Sequence, residues 1–189
     1  MVNETKKALI ECGKQIVLKG GKENCTEILY LAREEILQEI ALGIIEVLDV
    51  NSDEIYEFFL RSDNDIIKIA AIRKIYNDVF FENIILNRAV YYSDYVKMKA
   101  IEQIKESKVL TGLLKNQSVY ERSCFLVKIA EKLNNDELFD IIISDEYNID
   151  TKMFFVSKIT DKRYLKKLIT ECPNKDIISE AQFCLRSLN

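Results

Sequence analysis

The chain has 189 residues, 48% of them hydrophobic and 31% charged, with a formal net charge of −4 and an isoelectric point near 5.2. That length suits one domain with a continuous core. The acidic balance argues against a nucleic-acid binder, which normally carries a basic excess that displaces counterions from phosphate.

One proline and five glycines leave few helix breakers, so the chain is expected to be almost wholly helical. Residues 3–19 are expected to form a first helix, stopped by Gly20-Gly21, a pair that accepts the left-handed conformation. Residues 26–48 read as one long helix with Leu29, Ala32, Ile36, Ile40, Ile44 and Leu48 along one face. Asn51-Ser52 caps a shorter helix ending near Arg61. Residues 65–76 carry Ile69, Ile72 and Ile75 at helical spacing, break at Asn77-Asp78, and lead into a second helix over 79–90. Ser93-Asp94 begins the next pair, with helices to about Lys105 and over 107–115. Ser118 and Glu121 have the spacing of a capping box and predict the start of a third such helix there, with its partner from near Asn135 to near Ser144. The fourth pair spans 148–160 and 161–171, and Pro173 is expected to open a last helix ending at Leu188.

A single motif recurs through these elements. A small or apolar residue sits beside a branched one, with another apolar residue three positions on. Its copies are Ala41-Leu42-x-x-Ile45, Ala71-Ile72-x-x-Ile75, Ala100-Ile101-x-x-Ile104, Phe125-Leu126-x-x-Ile129, Phe155-Val156-x-x-Ile159 and Cys184-Leu185-x-x-Leu188, at steps of 30, 29, 25, 30 and 29 residues. A fixed period in this range is the mark of a repeat architecture. One helical hairpin cannot bury both of its apolar faces, whereas hairpins placed side by side share a core. The segment Ser93-Asp-Tyr-Val-Lys-Met-Lys-Ala-Ile-Glu-Gln-Ile104 resembles a short HEAT-like repeat, and the likeness extends over about 26–189.

That resemblance implies an all-α, right-handed α-solenoid of antiparallel helix pairs. Residues 1–189 would form one domain, with 1–25 a capping helix and 26–189 about five to six repeats of 25–30 residues. It also implies a protein or peptide bound along a concave face made by the second helix of each pair. A minority of such proteins bind nucleic acid or modify damaged DNA bases, which is the alternative. A small inhibitor or accessory protein of a host enzyme is a third.

Catalysis has little support. There is no histidine, the commonest general base and metal ligand. No C-x-x-C pair or glycine-rich phosphate loop is present. No enzyme activity, metal or cofactor is therefore expected. Cys12, Cys25, Cys124, Cys172 and Cys184 are odd in number and irregularly spaced, the usage of reduced thiols in a cytoplasmic protein. No apolar leader or transmembrane span is expected, because no 18-residue window is free of charge.

The candidate partner-binding positions are the outward ones on the second helices. They are Asn83 and Asn87, then Thr111 and Lys115, then Asp136 and Asp140, and finally Lys162, Arg163, Lys166 and Lys167. Residues 134–151 hold six carboxylates and no Lys or Arg, which suits a basic partner, a weak divalent-ion site or a solvated helix start. The basic rows at 162–167 suit an acidic peptide or phosphate, or a solvated face opposite Leu165, Leu168 and Ile169. Tyr91, Tyr92 and Tyr95, beside Lys97 and Lys99, serve either packing between repeats or contact with a partner.

Overall fold

The computed structural model describes residues 2–20, 35–87 and 89–188. Among them are thirteen helices and no strand: α1 (Val2–Gly20), α2 (Glu35–Val47), α3 (Asp53–Arg61), α4 (Asp65–Ile72), α5 (Asp78–Leu86), α6 (Asp94–Gln103), α7 (Ser107–Leu113), α8 (Gln117–Tyr120), α9 (Ser123–Ala130), α10 (Asn135–Ile143), α11 (Ile149–Val156), α12 (Lys162–Glu171) and α13 (Lys175–Ser187). The fold is all-α. No described helix is long and apolar enough to cross a membrane. The part of the expected long helix before Glu35 lies outside the described residues, as do Gly21 and Cys25.

Most of these helices have eight to ten residues. Helices so short are marginal alone and depend on packing. Local chemistry sets where they begin. The side chains of Asn64, Asn116, Asn134, Asn148, Asp161 and Asn174 each accept a first-turn backbone N–H. Asn134 and Glu137 close a full capping box, each side chain accepting the other's backbone N–H. The box expected at Ser118–Glu121 does not form. There Asn116 takes the Ser118 N–H at 3.1 Å, α8 lasts four residues, and the longer helix starts only at Ser123. Pro173 precedes the cap Asn174 and so stands outside α13.

The chain divides into two compact units. Unit 1 comprises Met1–Asn77 and Tyr92–Gln103; unit 2 comprises Asp78–Tyr91 and Ile104–Asn189.

In unit 1, α1 packs along α2, α2 against α4, and α4 against α3 and α6. Its core includes Ala41, Ile44, Phe58, Phe59, Ile72 and Ala100, all essentially sealed from solvent. Full burial of such Ile and Phe side chains contributes roughly 1.5–3 kcal/mol each. Glycine permits the closest contact. A Cβ on Gly43 would stand 1.9 Å from the Ile10 carbonyl oxygen, and one on Gly13 would stand 2.1 Å from that of Ile40. Lys6 pairs with Glu39 at 3.1 Å and Lys14 with Glu46 at 2.6 Å, so α1 and α2 run in the same direction.

Tyr92 is buried in unit 1 and stacks on Phe59 at 5.4 Å, under the ammonium of the buried Lys68 at 5.0 Å. It is a packing residue. Tyr95 is half exposed beside Lys99.

In unit 2, α5 packs on α7 and α8, α8 on α9, α9 on α11 and α11 on α13, while α10 lies against α11 and α12, and α12 against α13. Buried Phe81, Leu110, Phe125, Ile129, Phe155, Leu165 and Leu168 supply its core. Tyr91, by contrast, is 88% exposed.

The first five motif copies are buried, Leu42 alone being half-buried. The sixth is only partly covered. Ile177 and Ala181 are buried on α13, whereas Cys184 and Leu185 are half-buried and Leu188 is exposed. Ile177, Ala181, Cys184 and Leu188 share one face of α13, and burial falls along it toward Leu188.

Polar side chains also tie together turns that are distant in sequence. Asn51 accepts the Tyr76 N–H, Asp78 accepts those of Lys105 and Glu106, and Asn135 accepts that of Thr160, across 25 to 28 residues of sequence.

Candidate functional site

All ten candidate positions belong to unit 2. The site is best built from α7, α10 and α12, which bury one face and leave the other polar. On α7, Leu110 and Leu113 are buried, leaving Lys108 and Thr111 outward. On α10, Leu138, Phe139, Ile141 and Ile142 face the core while Asp136 and Asp140, four apart, share the exposed side. On α12, Leu165 and Leu168 are buried and Lys162, Arg163, Lys166 and Lys167 are exposed.

Between α7 and α10 lies an open cleft of about 370 Å³. Ser107, Lys108 and Thr111 form one wall, and Glu137, Asp140 and Ile141 the other. Ser144, Glu146 and Tyr147, in the segment after α10, close its end. That segment is held against α7. The Tyr147 hydroxyl donates to the Thr111 carbonyl at 3.5 Å, and Lys115 pairs with Glu146 at 2.7 Å. The hydrogen bond that Lys115 donates to the Glu146 carboxylate raises the Lys115 pKa, more than partial desolvation lowers it.

The carboxylates of the acidic stretch divide into two sets. Asp136 accepts a hydrogen bond from the Tyr164 hydroxyl, Glu137 closes its capping box, and Glu146 holds Lys115. No described residue bonds the side chain of Asp140, which lines the cleft. Among the described residues, no three acidic, Cys or His side chains gather as a metal cage.

The basic rows are largely engaged. Arg163 donates to its own helix cap Asp161 at 2.6 and 3.0 Å. The Arg163 guanidinium holds the Asp161 carboxyl below the usual carboxylate range, and Asp161 in turn raises Arg163. The bond to Asp136 raises the Tyr164 phenol. The Lys167 ammonium lies 4.4 Å from the centre of the Phe139 ring and 3.9 Å from Glu171. Arg163, Tyr164 and Lys167 line a smaller recess of about 210 Å³.

Comparison with family models, characterised proteins and solved structures finds no match for this chain. The residues themselves must carry the functional argument.

Of the expected positions, Thr111 and Asp140 meet in one cleft, Lys115 stands at its rim through Glu146, and Asp136 joins the α12 cluster. Asn83 is exposed on α5. Asn87 has a local task, accepting the Ala89 and Val90 N–H groups in the turn after α5. Lys108, Ile141 and Tyr147 line the cleft without having been singled out in the sequence. Lys108 and Ile141 fall one helical turn from Thr111 and Asp140 or next to them, a signal that was present. Tyr147 carries no periodic signal, since it lies between helices.

Proposed function

We propose that this chain is a non-enzymatic adaptor of the cytoplasm that binds another protein or peptide across the polar face of α7, α10 and α12. The observation that carries this reading is the cleft between α7 and α10, wide open and bordered by charge of both signs. Its open, mixed surface suits a folded partner or peptide segment better than a buried small molecule, which favours an enclosed apolar pocket.

The α-solenoid architecture belongs to the same proposal. Support comes from the alternation of contacts, α2 with α4 and α4 with α6 in unit 1, α9 with α11 and α11 with α13 in unit 2. The polar ties at repeat spacing agree with it. Nucleic acid is the less favoured partner because Asp161, Asp136 and Glu171 already face the cations of α12. Two of its four cations, Arg163 and Lys167, are thereby partly neutralised, which weakens the attraction a phosphate backbone would feel.

The test is capture from nuclease-treated extract of the native host with two double variants, Asp136→Lys with Asp140→Lys and Lys162→Glu with Lys166→Glu. The reading expects a protein partner retained by the unaltered chain and lost with at least one double variant whose circular dichroism is unchanged. Full retention by both would refute the face assignment.

A further inference from the structure

Resting on that reading, we propose that the α7–α10 cleft receives an arginine or lysine side chain of a basic peptide segment, with Asp140 as its counter-ion. Three features converge on this occupant. The cleft offers apolar surface for an aliphatic stem in the half-buried ring of Tyr147, over a floor that includes the buried Ile141. Long basic side chains bury such stems while their charged head stays near water.

Charge is the second feature. Three carboxylates line the cleft, Glu137, Asp140 and Glu146, against one cation, Lys108. Lys115 offsets Glu146 from the rim at 2.7 Å, which leaves an acidic excess. The surrounding segment, 134–151, contributes no cation of its own. The third feature is commitment. Glu137 is bound within its helix cap and Glu146 by Lys115, whereas Asp140 receives no hydrogen bond from any described residue. A guanidinium or ammonium entering over Ile141 would meet Asp140 first. Lys108 on the facing wall is exposed and opposes that cation, so it moderates the affinity of the cleft.

The experiment is an NMR titration of the isotope-labelled full chain with an unstructured dodecapeptide of Arg-Gly-Ser repeats, beside its Glu-Gly-Ser counterpart. The basic peptide is expected to shift the amides of Thr111, Asp140, Ile141 and Tyr147, and the acidic one to leave them still. Asp140→Asn should weaken that response about fivefold, as expected for a partly exposed ion pair. Lys108→Glu should strengthen it by a similar factor, a gain that a merely damaged fold would not give. The proposal is overturned by cleft shifts with the acidic peptide, by an unchanged response in Asp140→Asn, or by no cleft response to the basic peptide at millimolar concentration. A host partner lost with the charge-reversal variants but held fully by Asp140→Asn would overturn this inference and leave the adaptor reading standing.

Discussion

The Asp78 carboxylate accepts the backbone N–H groups of Lys105 and Glu106 at 2.9 and 2.7 Å, twenty-seven and twenty-eight residues away. One side chain at the start of α5 thereby satisfies two donors in the turn leading to α7. Both bonds are exposed, so water replaces the carboxylate in part and their net contribution is about 0.5–1.5 kcal/mol. Asp78→Ala is expected to lose stability within that range in urea unfolding, and Asp78→Asn, which keeps one good acceptor, to lose less. Equal stability of Asp78→Ala and the unaltered chain would remove this tie from the account.

Asn51 performs the related task in unit 1 with a constraint on its own backbone. Its φ is 57°, in the left-handed region, and its side chain accepts the Tyr76 N–H at 2.6 Å. Asn and Asp tolerate that conformation better than branched residues do. Asn51→Asp is expected to stay closest to the original stability. Asn51→Val, which loses the acceptor and strains the backbone, should lose about 2 kcal/mol or more. The same unfolding measurement decides the order.

The glycines separate packing from propensity. Alanine is favoured over glycine in a helix interior by roughly 1 kcal/mol. At Gly43 and Gly13 the added methyl would run into carbonyl oxygens of the neighbouring helix. Gly43→Ala and Gly13→Ala are therefore expected to destabilise by about 1–3 kcal/mol or more. Nothing lies within 4 Å of a Cβ built on Gly112 in α7. Gly112→Ala is expected to raise the melting temperature, by the propensity gain alone.

The Asp161–Arg163 pair predicts an acid response. Arg163 lowers the Asp161 pKa in the folded protein, so the unfolded chain binds that proton more readily. The pair's contribution is present above the ordinary aspartate value of about 3.9 and is lost as pH falls through the lower folded value. Side-chain carboxyl titration by NMR is expected to show Asp161 ionised below the pH at which other exposed aspartates protonate. Arg163→Gln should return it toward the ordinary value.

Much of the helical plan was legible because burial follows periodicity. The first five motif copies lie in the core, and Asn134, Asn148 and Asp161 stand at helix starts where the pattern breaks. In residues 175–188 the spacing marked the right face, since Ile177, Ala181, Cys184 and Leu188 share it, but burial falls along it from Ala181 to Leu188. At Ser118 the short-range pattern of a capping box lost to Asn116, whose side chain reaches the same N–H first. Outward positions on α7, α10 and α12 followed from periodicity as well. The cleft did not, because it depends on the segment after α10 reaching Thr111 and Lys115 through Tyr147 and Glu146, contacts 36 and 31 residues apart in sequence.

The central claim is that a protein partner docks on the polar face around the cleft. It is tested most directly with a photo-crosslinking residue placed at Thr111, at Asp140 and, as a control, at Ser179, an exposed position on α13. In nuclease-treated extract of the native host, the account predicts one shared protein adduct from Thr111 and Asp140 and none of it from Ser179. An adduct formed from Ser179 alone, or crosslinks only to nucleic acid when nuclease is omitted, would contradict it.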